Sequence, residues 1–319
     1  MLRIKRLVTM SLCLLVVYLG AGTGFAQQGG SGLAVYTTRT ELSLLPGEQK
    51  DFKIPIKNTT QGPITVKVFV NNFMSDGVTG QPRIITDDSE PNPNSVKNFV
   101  REVKDFALSA GEQKEVEFTV DVPNDASPGG YYGVIRFAAV PQGEDSESNS
   151  QTQVSLNASV APHLFVNVAG DITKQIQIDG VKVFRDKRTF PIFFVEPNKV
   201  EASISNKGNG FSRPIGNIQI KRGATEVYLY ELNSTEPRGT ILPNTSRTFT
   251  DEIKNVNKFG KYTVYASVAY EQGGEVIVRQ ASFWYIPIWM AAVALAAVIT
   301  LVIVSWLIYR RLGKKRRRR

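Results

Sequence analysis

The stretch Ile286–Tyr309, IPIWMAAVALAAVITLVIVSWLIY, has 24 residues and no charge. As a helix it would extend roughly 36 Å, enough to cross a hydrocarbon core of about 30 Å with some tilt. A helix packed on a soluble core would show a polar stripe, and this one has none. Trp284, Tyr285 and Trp289 stand at one end and Trp306 and Tyr309 at the other, where aromatic rings prefer the headgroup level. Arg310 and Arg311 open the tail RRLGKKRRRR, which has eight basic residues and no acid. These seven residues are the expected membrane-interface anchors. The pattern predicts a transmembrane helix over 285–309 and a basic cytoplasmic tail over 310–319. The expected location is the bacterial cell membrane, single-pass, with the ectodomain outside and the C-terminus cytoplasmic.

The other end of the chain supports export. Arg3, Lys5 and Arg6 precede the apolar run LVTMSLCLLVVYL, and Gly24-Phe25-Ala26 supplies small residues for cleavage, so residues 1–26 read as a signal peptide. The net charge of +9 is then a matter of topology. The tail and the signal hold eleven positive charges without an acid, and about −2 remains for everything between them. No nucleic-acid partner is expected. The single cysteine, Cys13, lies in the signal, which leaves the remainder without disulfides, thiolate metal sites or a cysteine nucleophile. The intervening stretch is long enough for two domains that fold without such staples.

Those domains read as all-β. In KEVEFTVDV, Val116, Phe118, Val120 and Val122 alternate with Glu115, Glu117, Thr119 and Asp121, the period-two pattern of a half-buried strand. Ile54 and Ile56 alternate with Lys53, Pro55 and Lys57 up to Asn58, and Ile64, Val66, Val68 and Val70 form another such face. Further strands are expected in YYGVIRFAAV and QVSLNASVAPHLFVNVAG. Beyond Asp171 seven short segments, KQIQIDGVKVF, VEASISN, NIQIK, TEVYLYEL, TFTDEI, GKYTVYASVAY and EVIVRQASFWY, are separated by turns rich in Gly, Pro and Asn. The expected organisation is two tandem immunoglobulin-like β-sandwiches, 27–170 and 171–284, followed by the single transmembrane α-helix. Gly47-Glu48-Gln49-Lys50 recurs as Gly111-Glu112-Gln113-Lys114, with an echo in Pro243-Asn244-Thr245-Ser246. Each is read as a turn entering a strand.

Several stretches resemble a known family. LLPGEQKDFKIPIKNTTQGPITVKV, with Pro46-Gly47 before a strand and Asn58 closing it, is similar to the first domain of WxL-interacting cell-surface proteins of Gram-positive bacteria. VPNDASPGGYYGVIRFA, with Pro123, Gly129-Gly130 and Gly133, resembles the second half of that domain, and ISNKGNGFSRPIGNIQI, ILPNTSRTF and GKYTVYASV resemble the family's other module. The resemblance implies a first domain that binds peptidoglycan or a partner, and an adhesive second one.

Chemistry is sparse. His163 is the only histidine and lies opposite Leu164 and Val166 in strand phase, so it is read as structural or solvated rather than as part of a triad. Asp87-Asp88 and Asp76-Gly77 lack calcium-loop spacing, and no Asp or Glu pair is distinguished by spacing. The expectation is no catalytic residue, no metal and no cofactor, and hence no enzyme. Tyr131 and Tyr132 are expected to pack at a sheet corner. Loops over 71–98 and 142–153 are the expected contact surfaces. The leading reading is a membrane-anchored scaffold or adhesin that binds cell-wall polymer or a surface protein, and that meets the lipid bilayer through its span. The alternative is a chaperone-like assembly factor for secreted proteins, which would capture extended segments by strand addition and would show an unguarded apolar edge strand.

Overall fold

The structure, a computed structural model, describes residues 32–86, 90–141 and 159–316. The expected signal peptide, Asp87-Asp88, the 142–153 loop and the last three tail residues lie outside the described residues.

Two β-sandwich units follow one another. In the first, β1 (Leu33–Val35), β3 (Gln49–Asn58) and β7 (Gln113–Asp121) form one sheet. Opposite it stand β2 (Arg39–Leu44), β10 (His163–Val168), β8 (Gly129–Pro141), β4 (Ile64–Ser75) and β5 (Pro82–Ile85) in that order; β6 (Phe106–Leu108) pairs with β4 and β9 (Ser159–Val160) with β8. The N-terminal chain changes sheets. β1 runs antiparallel to β3, and only a few residues later β2 runs parallel to β10, with Arg39 opposite His163. The alternating side chains Ile54, Ile56, Ile64, Val66, Val116, Phe118 and Val120 meet between the sheets as period two requires.

The second unit packs β11 (Ile176–Phe184), β13 (Lys199–Asn206) and β16 (Ser246–Glu252) against a five-stranded sheet. That sheet runs β12 (Ile192–Phe193), β18 (Val276–Tyr285), β17 (Gly260–Ala269), β14 (Ile215–Arg222) and β15 (Thr225–Leu232). All seven expected strands are present; the two-residue β12 is an addition.

The recurring tetrapeptides are turns. Glu48 N donates to Leu45 O at 3.0 Å around Gly47 (φ +78°), and Glu112 N to Ser109 O at 3.1 Å around Gly111 (φ +72°). Thr245 N donates to Leu242 O at 3.2 Å with Asn244 at φ +56°. The positive φ at the third position explains Gly or Asn there. Of the stretch 71–98, expected as one long loop, residues 71–75 belong to β4 and 82–85 to β5, and a turn follows, in which Val100 N donates to Val96 O at 3.2 Å.

After Tyr285 the chain enters α1 (Ile288–Arg316) almost directly. Ile288–Arg310 is long and apolar enough to cross a membrane, by length and composition, and none of it is buried inside the protein. Signal sequences and core helices satisfy the same test, so the helix by itself fixes no location.

Candidate functional site: the cleft between the two sandwiches

The units meet across the outward face of the second sheet of the first unit. Phe73 of β4, Tyr132 of β8 and Phe165 of β10 would face solvent in an isolated sandwich; here they pack with Leu242 and Phe211 of the second unit. The Phe165 and Phe211 rings stand edge to face at 5.1 Å, and those of Phe73 and Tyr132 are tilted at 5.0 Å. Gly130 is small because a Cβ there would come within 2.9 Å of the Phe211 ring. Tyr131 packs on Phe99 at 4.7 Å, so both tyrosines pack as expected, although Tyr132 does so against the other unit.

Polar contacts hold the interface on two sides. Gly130 N donates to Asn209 O at 2.8 Å, and the Asn209 side chain donates to Pro128 O at 3.0 Å and Asp171 O at 3.1 Å. At the other side the β4–β5 hairpin reaches β16: Thr248 N donates to Val78 O at 2.6 Å and Ser246 Oγ to Gly77 O at 3.1 Å. The hairpin tip is tied by Asp76, whose carboxylate accepts from Val78 N at 3.0 Å, Gly80 N at 2.7 Å and the Thr79 hydroxyl. Those bonds, the Thr79 hydroxyl first, hold the Asp76 pKa below the usual carboxylate value.

Between these ties lies a cleft of about 230 Å³ whose charged lining is cationic, Arg39, Arg238 and Arg247, with the imidazole of His163 beside them. Arg39 is positioned by β2, donates through Nη2 to Thr240 Oγ1 at 2.9 Å, lies 4.3 Å over the Phe165 ring and pairs with Glu41. Glu41 is shared with Arg213, and Arg238 pairs with Glu236 at 3.0 Å. Burial, then the neighbouring Arg213, pull the Arg39 pKa below its ordinary value, and Glu41 only partly compensates. Burial likewise lowers that of Arg247, with Asp76 opposing. A pocket whose cations are destabilised by burial favours an anion as ligand.

His163 does lie out of phase with Leu164 and Val166, as the sequence indicates, but that face is not open to solvent. Its ring stands edge-on to Phe73 at 5.2 Å and stacks on Phe165 at 6.1 Å. The signal missed in the sequence was the aromatic spacing on the supposed solvent face of three strands.

The expected membrane-interface residues are not gathered into one site. Tyr285 is buried in the second core, whereas Trp284 is half-exposed beside Phe259 at 6.1 Å. Trp289, Trp306 and Tyr309 are exposed on α1, Arg310 lies 4.5 Å over the Trp306 ring, and Arg311 continues the helix. Among the described residues no cluster of three or more His, Cys, Asp or Glu could hold a metal ion.

No family model matches the chain, and no curated protein matches it. Solved structures do. A chaperone–tip adhesin complex of CFA/I fimbriae biogenesis matches at 12% identity and TM-score 0.41, over 80% of this chain and 99% of that one. The class 5 fimbriae chaperone CfaA matches at 14% identity and TM-score 0.40, over 80% and 99%. The CsuC–CsuE chaperone–tip adhesion subunit pre-assembly complex of Acinetobacter baumannii matches at 13% and 0.36, over 77% and 97%. These findings correct the resemblance drawn from sequence: the likeness runs to fimbrial chaperones and not to WxL-interacting proteins of Gram-positive bacteria. The reading as a membrane-anchored, peptidoglycan-binding scaffold or adhesin is withdrawn with it, and so are the cell-wall polymer and lipid bilayer as partners. The single-pass placement with an external ectodomain is withdrawn too, since α1 meets a test of length and composition only.

Proposed function

We propose that the protein is a chaperone-like assembly factor that captures an extended segment of another polypeptide by adding a strand beside β9. One observation carries this reading: a strand edge with no paired strand on its outer side among the described residues leads into a cationic cleft. Other edges carry protection of the usual kinds. β2 covers β10, and residues 99–101 cover the end of β7 through Arg101 N to Thr119 O at 3.0 Å and Asp121 N to Phe99 O at 2.7 Å. The β4–β5 hairpin meets β16, β11 carries a bulge between Ile178 and Gly180, and β15 places Glu226 and Glu231 along its edge. β9 pairs with β8 through Val160 and Ser159, and among the described residues no strand pairs with its outer side. The sequence entering it alternates apolar residues, Val154, Leu156, Ala158 and Val160. Three residues after Val160 comes His163, in the lining of the cleft. A segment hydrogen-bonded along β9 would therefore end at Arg39, Arg238 and Arg247, where a terminal carboxylate finds charge-assisted donors.

This is binding chemistry, and it requires neither a catalytic residue nor a cofactor. The finer fold reading, immunoglobulin-like sandwiches on the strand count, accompanies it as inference and does not enter the binding argument. The test uses main-chain chemistry. Peptides of alternating valine and threonine, N-methylated at residues of one parity, would lose binding by tenfold or more when the methyls face β9 and keep it when they face away. Equal binding by both parities would sink strand addition.

A further inference from the structure

The cleft holds the only histidine in the chain, packed among cations rather than beside a carboxylate. His163 faces Arg39 of β2 across the parallel ladder. Its neighbour on β8 is Val134, on β4 it meets Phe73, and the hairpin side presents Ser75, Gly80 and Pro82, none of them charged. The second unit contributes Arg238 and Arg247. The nearby acids are committed elsewhere: Glu41 to Arg39 and Arg213, Glu236 to Arg238, and Asp76 to its own turn and to the field at Arg247. No carboxylate in the cleft lining is placed to favour the imidazolium, so an incoming anion would be the first negative charge to do so.

We propose that His163 makes the cleft's hold on an anionic chain terminus strengthen as the pH falls. The identity of the anion, a terminal carboxylate, rests on the strand-capture reading; the proton dependence rests on the cleft. Burial, then Arg39, lower the His163 pKa from its ordinary value, and the Thr38 carbonyl partly offsets this. The ring is therefore neutral at pH 7 in the free protein. A bound anion favours the charged ring and raises its pKa. Affinity then rises as the pH drops through the bound-state pKa and levels off below the free-state one. The terminal carboxylate itself, with an ordinary pKa of about 3.5, stays ionised throughout.

The experiment measures binding to the full-length chain of an N-acetylated octapeptide of alternating valine and threonine with a free C-terminal carboxylate. Its C-terminal amide is measured in parallel, both at pH 7.5 and 5.5. The carboxylate peptide should bind roughly five- to tenfold more tightly at the lower pH, since one pKa unit of linkage is tenfold. The amide should show no such gain, and His163→Gln should abolish it. A wild type whose affinity is flat with pH, or a variant that keeps the gain, overturns the inference. In parallel, the imidazole resonance of the sole histidine is titrated by NMR in sulfate and in chloride at equal ionic strength. Sulfate should raise the His163 pKa, and an unchanged value overturns the inference. Failure of both peptides to bind, with sulfate still raising that pKa, would dispose of strand capture and leave the proton-controlled anion cleft standing.

Discussion

Asn58 and Asn206 play the same part in the two sandwiches. Each closes a strand, is wholly buried, and spends its side chain on the connection that follows. Asn58 Nδ2 donates to Gly62 O at 2.9 Å and Ser109 O at 2.8 Å, while Oδ1 accepts from Thr60 N at 2.9 Å. Asn206 Nδ2 donates to Gly210 O at 2.7 Å and Ile241 O at 3.1 Å, while Oδ1 accepts from Gly208 N at 3.0 Å. Asn58→Ala or Asn206→Ala would strand buried carbonyls and amides. Each should lower stability by about 2–4 kcal/mol in urea unfolding. A loss under about 0.5 kcal/mol would mean that water replaces the amide at no cost.

The aromatic junction couples the units. Phe211→Ala removes the ring that Phe165, Tyr132 and Gly130 pack against. It should cost about 3–4 kcal/mol and separate the two unfolding transitions in calorimetry. A single undivided transition in the variant would show that the polar ties suffice.

Asp76 organises the hairpin tip that reaches Thr248. Its depressed pKa gives stability that is present above the unfolded carboxylate value and lost as pH falls through the folded one. Asp76→Ala should accelerate hydrogen exchange at the Thr248 amide without altering exchange in the Asn58 connection. Unchanged exchange at Thr248 would mean that the tip needs no carboxylate.

His163 has the opposite linkage. With its folded pKa below the unfolded value of about 6.5, the unfolded chain takes up the proton first. Without an anion present, stability should fall as pH drops below 6.5, and His163→Gln should flatten that slope. Denaturant midpoints at pH 7.5 and 5.5 in chloride decide it.

Strands were legible wherever one face is buried and the other wet. KEVEFTVDV gave β7 because Val116, Phe118 and Val120 point inward from a strand flanked by acids. The cleft was not legible, because its walls lie on the other face. Along β4, Ile64 and Val66 enter the core, but further on Asn71 and Phe73 of the opposite phase are buried. A period-two reading assigns such residues to solvent. Only the second unit covers them, and its placement is not encoded in any one strand. Arg39 and Arg247 carry no local signal, since each becomes a cleft residue only across a separation that no spacing rule spans.

The change of sheets between β1 and β2 has a bearing on how the chain is made. Among the described residues β2 finds its one strand partner, β10, roughly 120 residues downstream, whereas β1 pairs with β3 close by. During vectorial synthesis the opening strand is therefore held at one end while the rest waits for the first sandwich to be almost finished. The side chain of Arg39 reaches its place only then, and the cleft is complete only once Arg238 and Arg247 of the second unit have followed.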